Sequence, residues 1–280
     1  MWSVEPPAFT VSETATLCAQ SIRDKSLAKR VLTARATLSA NSNRLRRAIN
    51  NDTTHLVDDK SYPVGNELSA SEMRSLYTGQ LVRRDTPARA HYDKIILAAP
   101  YGLCCYCQYG EANTIDHFIP KTHVPALAID GWNLMPCCGK CNHTLLDFHS
   151  DKPEKQLLHP YAMPALGRWL RARVIEQVPV VLQFTAEPEA GLTEILQQRI
   201  LNEFEALHLG ERYAIVAAEQ ISTTNRTLSR RWGSEDHETV RAHLREQALD
   251  EAGPDVNDRR AVVYEALADS DWYCQGGFLT

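Results

Sequence analysis

The chain has 280 residues, a mass of 31.5 kDa and a formal net charge of −5, with 44% hydrophobic and 23% charged residues. This composition allows a buried core, and the negative charge argues against a protein that coats nucleic acid. The first residues lack the layout of a secretory signal, and Pro100 and Gly102 break the longest apolar stretch, near Ile95 to Cys107. We therefore expect a cytoplasmic protein without a membrane partner.

The N-terminal part predicts helices. Apolar residues recur at helical spacing over residues 12 to 50. Ser69 and Glu72 have the spacing of a capping box, and another helix is expected from Pro87 to about Ala98. Eight basic residues and one acidic residue lie between Gln20 and Asn50. This basic run could contact a phosphate backbone, or it could be a solvated helix face.

The remaining elements follow in chain order. A short strand is expected at Thr114 to Ile119, and a helix from Asn142 to about Phe148. Beyond Leu166 we expect one strand and four helices: Val178 to Phe184, then Thr193 to Leu207, Gly210 to Thr224, His237 to Ala252 and Asp258 to Ala268. Residues 233 to 280 hold eleven acidic residues against four arginines, which suggests a surface for a protein partner.

The chain thus divides into three predicted regions. Residues 1–99 form a helical region with a basic flank, residues 100–162 carry most of the cysteines, and residues 163–280 form a second helical region. The expected fold class is α+β, mainly helical.

Six of the eight cysteines lie between residues 104 and 141. Two Cys-x-x-Cys pairs at this spacing are typical of a structural zinc site, in which four thiolates surround the ion. We predict that the ligands are Cys104, Cys107, Cys138 and Cys141. The neighbouring Cys105 and Cys137 are interpreted as small buried hydrophobic residues.

Residues suited to a second, catalytic metal site lie between the two Cys-x-x-Cys pairs and directly after the second pair. His117 can take a proton from water, because a free imidazole titrates near neutral pH. The carboxylate of Asp116 and the amide oxygens of Asn133 and Asn142 are ligands suited to Mg²⁺ or Mn²⁺. Such an ion could stabilise the charge that develops when a phosphodiester is hydrolysed. The pattern therefore predicts a metal-dependent nuclease.

Three motifs in this order resemble the HNH endonuclease family: Cys-x-x-Cys at 104–107, Ile-Asp-His-Phe-Ile-Pro-Lys at 115–121 and Trp-Asn-Leu-Met-Pro-Cys-Cys-Gly-Lys-Cys-Asn at 132–142. That family has the ββα-metal, or His-Me finger, fold. The resemblance implies a central zinc-supported finger, built from a β-hairpin and a helix, between the two helical regions. It also implies double-stranded DNA as the substrate.

The resemblance assigns a role to each polar residue. His117 would be the general base, Asp116 and Asn142 would hold the catalytic ion, and Asn133 would hold the loop that aims the base. Family members often carry a lysine shortly after the Cys-Asn step, whereas His143 and Thr144 follow here. His143 could therefore replace or supplement Asn142 as a metal ligand.

The segment Leu158 to Tyr161 and the helical C-terminal part resemble stand-alone HNH proteins of bacterial defence loci, of the Septu and retron-associated type. That resemblance implies an antiphage effector that works beside an ATPase. Two other functions remain open from the residues alone. One is a restriction nuclease that depends on modified bases, and the other is a zinc-stabilised adaptor that binds DNA or protein without cutting.

Overall fold

A computed structural model describes residues 3–64, 67–231, 233, 236–253 and 255–279. The chain forms two compact units, Met1–Pro164 and Ala165–Thr280. The predicted regions 1–99 and 100–162 both fall in the first unit. The fold class is α+β and mainly helical, as predicted, with two small antiparallel sheets.

The first unit begins with two helices, α1 (Val11–Ser21) and α2 (Lys25–Asn50). Residues 12 to 50 are helical as predicted, apart from a break of three residues that the prediction did not locate. The chain leaves the helix at Ile22, and the carboxylate of Asp24 accepts hydrogen bonds from the backbone amides of Ser26, at 2.8 Å, and Leu27, at 3.2 Å. This N-cap satisfies amides that have no partner within the helix, so it marks the start of α2.

Helix α3 (Ala70–Leu76) starts at the predicted capping box, which is confirmed. The hydroxyl of Ser69 accepts from the Glu72 amide at 3.2 Å, and the Glu72 carboxylate accepts from the Ser69 amide at 2.8 Å. A five-residue π-helix, Tyr77–Leu81, follows directly, and α4 (Arg89–Leu97) comes next within the predicted range.

A β-hairpin and a short helix follow in the cysteine-bearing part. Strand β1 (Thr114–His117) pairs antiparallel with β2 (Leu134–Cys137), and α5 (Gly139–Leu145) comes directly after β2. The predicted strand and helix are confirmed in type but differ in their bounds. Helix α5 starts three residues early because the sulfur of Cys138, its N-cap, accepts from the Cys141 amide at 3.4 Å.

The core of the first unit joins the helices to this hairpin. Ile115 of β1 and Leu134 of β2 are buried in the same cluster as apolar residues of α1, α2, α3 and α4. Burying such side chains stabilises a fold by about 1.5 to 3 kcal/mol each. The hairpin is thus held by the core of the unit as well as by its own backbone hydrogen bonds.

In its described residues, the second unit has a hairpin, four α-helices and a π-helix at Tyr273–Gly277. Strand β4 (Val181–Ala186) overlaps the predicted strand, whereas its partner β3 (Leu170–Ile175) was not predicted. The helices are α6 (Glu194–Ala206), α7 (Leu209–Arg231), α8 (His237–Ala252) and α9 (Arg259–Asp269). All four were predicted, although α7 continues seven residues past Thr224. No helix in the described part of the chain is long and apolar enough to cross a membrane.

Candidate functional site

The four predicted zinc ligands lie together. The sulfurs of Cys104, Cys107, Cys138 and Cys141 are buried and all lie within 4.8 Å of one another. Four thiolates about 2.3 Å from a tetrahedral ion are about 3.8 Å apart. The Sγ atoms of Cys107 and Cys138 are 3.9 Å apart, so this donor set fits a metal ion such as zinc.

Backbone amides support the sulfurs. The Gly110 amide donates to the Cys107 sulfur at 3.4 Å, as the Cys141 amide does to the Cys138 sulfur. Gly110 also has no room for a side chain, because a Cβ there would lie 2.7 Å from the Cys138 Cβ and 2.9 Å from its sulfur. The turn after Cys107 therefore packs tightly against Cys138, the first residue of the second Cys-x-x-Cys pair.

The other two cysteines of the segment have a different environment. Cys105 and Cys137 are fully buried, and neither belongs to the cluster of metal-ligating side chains found among the described residues. Burial raises the pKa of the Cys137 thiol well above its ordinary value, so this thiol stays protonated. In the described residues, the two predicted pairs form the cluster that could hold a metal ion, and Cys105 and Cys137 lie outside it.

A cavity of about 300 Å³ lies where the hairpin meets α5 and the π-helix. The predicted residues Asp116, His117 and Asn142 all line it. Lys121, just past the hairpin strand, and Tyr77, at the start of the π-helix, line it too. This cavity thus collects two carboxylates (Asp116 and Asp147), an imidazole, an amide and an ammonium group.

The His117 ring is held in one tautomer. Its Nε2 lies 3.0 Å from the backbone carbonyl oxygen of Ala128. Because a carbonyl only accepts, Nε2 carries the hydrogen and Nδ1 of the neutral ring carries the lone pair. Burial, with a smaller effect from the charge of Lys121, lowers the His117 pKa to about 3. The imidazole is therefore neutral near pH 7, and its Nδ1 is unprotonated.

Asp116 is 5% exposed and is held by a partner that the sequence did not reveal. The hydroxyl of Tyr106 donates to its Oδ2 at 2.9 Å. Burial raises the Asp116 pKa to about 6, and the hydrogen bond from Tyr106 opposes that shift. Tyr106 lies inside the first Cys-x-x-Cys pair, and this position is the signal that could have suggested its role.

Asn142 lies on α5 beside the hairpin. Its amide nitrogen donates to the hydroxyl of Thr114 at 3.3 Å, which leaves the amide oxygen as the atom that can bind a cation. The neighbouring His143 is exposed, and it is not among the described residues that line the cavity. The geometry therefore favours Asn142 over His143 as the residue that could reach an ion in this cavity.

Asn133 is fully buried and forms hydrogen bonds to the loop between β1 and β2. Its Oδ1 accepts from the Ile119 amide at 2.7 Å, and its Nδ2 donates to the carbonyls of Ile119, at 2.8 Å, and Leu127, at 3.3 Å. The same loop supplies the Ala128 carbonyl that fixes His117. Asn133 is thus linked to His117 through the loop, and it is not among the described residues that line the cavity.

Three residues of the basic run contact other parts of the first unit. Arg30 pairs with Glu72 at 2.6 Å, and the guanidinium groups of Arg44 and Arg46 lie over the rings of Tyr62 and Trp132. These contacts favour the packing interpretation for Arg30, Arg44 and Arg46.

The Leu158 to Tyr161 segment packs on the hairpin. The Tyr161 hydroxyl donates to the Leu134 carbonyl at 2.5 Å, and the Pro160 carbonyl accepts from the Val4 amide at 2.9 Å. His159 is buried against Phe118, with ring centres 4.3 Å apart. These contacts brace β2 and the turn after β1.

One phage protein is similar to this chain over most of its length. The chain is similar to protein ea31 of Escherichia phage lambda, with 27% identity over 243 residues that cover 80% of each chain. No protein-family model matches the sequence, and no solved structure matches it.

Proposed function

We propose that this protein is a metal-dependent endonuclease of the HNH type that hydrolyses phosphodiester bonds in DNA. The observation that supports it most is one cavity lined by Asp116, His117 and Asn142, on a hairpin and helix beside the four-cysteine cluster. The order strand, loop, strand, helix is the order that the resemblance to this family implies.

The four cysteines would hold a structural zinc ion, and the cavity would hold a separate catalytic one. Asp116 keeps the capacity to bind a cation while Tyr106 donates to one of its oxygens, because a carboxylate has several lone pairs. Asp116 and the amide oxygen of Asn142 would therefore hold Mg²⁺ or Mn²⁺. A bound divalent ion would stabilise the added negative charge of the phosphate and of the departing sugar oxygen.

His117 would begin the reaction as the general base. Nδ1 takes a proton from a water molecule, and the resulting hydroxide attacks phosphorus as the bond to the departing sugar oxygen breaks. The hydrogen bond from Nε2 to the Ala128 carbonyl keeps the ring in the required tautomer and stabilises the imidazolium that forms. The ammonium of Lys121 would offset part of the phosphate charge in the same cavity.

The wider biological role rests on resemblance alone. The likeness of the Leu158 to Tyr161 segment to stand-alone defence nucleases supports an antiphage effector that acts with an ATPase or another defence protein. Double-stranded DNA is the proposed substrate. A nuclease that depends on modified bases is the alternative. Comparing the cleavage of modified and unmodified DNA would distinguish the two.

A cleavage assay with neighbouring variants tests the proposal. The purified protein, with its bound zinc, is incubated with plasmid DNA and Mn²⁺ or Mg²⁺. His117→Ala and Asn142→Ala should abolish cleavage, whereas His143→Ala should cut at the wild-type rate because this exposed residue lies outside the cavity lining. Equal cleavage by the wild-type protein and His117→Ala would refute the proposal. DNA binding without His117-dependent cleavage would favour the non-catalytic adaptor.

A further inference from the structure

Tyr77 occupies an unusual position beside the cavity. It is the first residue of the π-helix Tyr77–Leu81, its side chain is 7% exposed, and it lines the same space as His117. Single π-helical turns are rare and are found often at functional sites, where they redirect side chains. Here the turn follows α3, a helix outside the three motifs that carry the resemblance to HNH nucleases.

The Tyr77 side chain contacts the hairpin segment at three places. Its ring meets the His117 ring edge to face, with centres 4.3 Å apart and planes at 68°. Its hydroxyl donates to the Ile115 carbonyl at 3.3 Å, on the same strand. The ammonium nitrogen of Lys121 lies 5.4 Å from the centre of the ring.

These contacts restrict motions of the His117 ring that its hydrogen bond to Ala128 still allows. One hydrogen bond at Nε2 fixes one atom of the imidazole, and the ring can still tilt about that point. An aromatic ring packed against His117 limits that tilt, so it limits the positions that Nδ1 can take. The ring face also attracts the Lys121 ammonium by a cation–π interaction.

We infer that Tyr77 is a positioning residue, which orients His117 for proton transfer and holds the Lys121 ammonium at the cavity. This inference rests on the proposed nuclease function, and it extends the active site to a helix of the N-terminal part of the chain. Tyr77 itself transfers no proton, because its hydroxyl is already committed to the Ile115 carbonyl.

The test compares ring removal with hydroxyl removal. Tyr77→Leu should lower the single-turnover cleavage rate by about 100-fold, because small displacements of a general base cost that much. Tyr77→Phe keeps the ring and loses only a long hydrogen bond, so its rate should stay within about threefold of wild type. The affinity for a DNA duplex should change much less than the rate in both variants.

Tyr62 supplies the matched control. It is a buried tyrosine of the same unit with a cation, Arg44, 5.4 Å from its ring centre, and it is not among the described residues that line the cavity. Tyr62→Leu should therefore keep the wild-type cleavage rate. Zinc content and far-ultraviolet circular dichroism check the fold of each variant. If Tyr77→Leu loses zinc, Tyr77→Met replaces it, since methionine fills space without a ring.

A readout apart from activity tests the contact itself. The ring protons of His117, assigned with His117→Gln, should lose the ring-current shift in Tyr77→Leu and keep it in Tyr77→Phe. A folded Tyr77→Leu protein that cuts at the wild-type rate, or an equal loss in Tyr62→Leu, would overturn the inference and leave the nuclease proposal standing. A wild-type protein no more active than His117→Ala would overturn both.

Discussion

Replacing Asn133 with alanine should loosen the loop that holds His117. Asn133 makes three buried hydrogen bonds, to the amide and carbonyl of Ile119 and to the carbonyl of Leu127. At about 1 kcal/mol net for each bond, the local loss is about 3 kcal/mol, or about 150-fold in the equilibrium between closed and open loop. The perturbation is therefore large beside a total stability of about 5 to 15 kcal/mol.

Amide hydrogen exchange measures this effect directly. The Ile119 amide, which donates to Asn133 at 2.7 Å, should lose about 150-fold of its protection in Asn133→Ala. Asn142→Ala is the matched control, since it removes one hydrogen bond of 3.3 Å to Thr114 outside this loop. Asn133→Ala should thus lose both the protection of the Ile119 amide and the cleavage activity. Asn142→Ala should lose only the cleavage activity. Unchanged protection at Ile119 in Asn133→Ala would refute the role assigned to this side chain.

Three further predictions concern the metal cluster and the pH dependence of stability. Gly110→Ala should lower the zinc content measured by metal analysis, because its methyl carbon would lie 2.7 Å from the Cys138 Cβ; wild-type zinc content would contradict the close packing. Hydrogen bonding to Arg30 lowers the Glu72 pKa to about 2, so Glu72 stabilises the fold above its ordinary pKa of 4.5, and that contribution is lost as pH falls towards 2. In urea titrations, the stability difference between wild type and Glu72→Gln should therefore shrink over this range, and a constant difference would exclude the pair as its source. Burial raises the Asp130 pKa from 3.8 to about 6, so the folded state binds this proton more tightly and stability should rise as pH falls from about 6 to 3.8. The Asp116 pKa is also raised to about 6, so Asp130→Asn should reduce this rise without abolishing it, and a rise of unchanged size in that variant would exclude Asp130 as a source.

The sequence predicted those structural elements that depend on residues only a few positions apart. The Ser69 and Glu72 capping box and helices α8 and α9 depend on contacts three or four positions apart, which a single sequence displays. The four-cysteine cluster was also predictable, because its spacing is one that a shared ion requires.

Features that depend on distant contacts were missed. Tyr77 and Ile115 are 38 positions apart, and nothing in the sequence around Tyr77 indicates a π-helix or a contact with the hairpin. Strand β3 was missed because its six residues are defined mainly by pairing with β4. The break before α2 was missed because one aspartate among helix-forming residues is a weak signal until its carboxylate is seen to cap the helix.

The central claim is that Asp116, His117 and Asn142 converge on one divalent ion and one phosphate. A crystal structure of His117→Ala with a DNA duplex and Mn²⁺ would test this claim most directly, through anomalous scattering that separates manganese from zinc. We predict a manganese peak in the cavity, bound by the Asp116 carboxylate, the Asn142 amide oxygen and a phosphate oxygen of the duplex, with zinc among the four cysteines. A duplex bound elsewhere, or a cavity that holds neither manganese nor phosphate under these conditions, would contradict it.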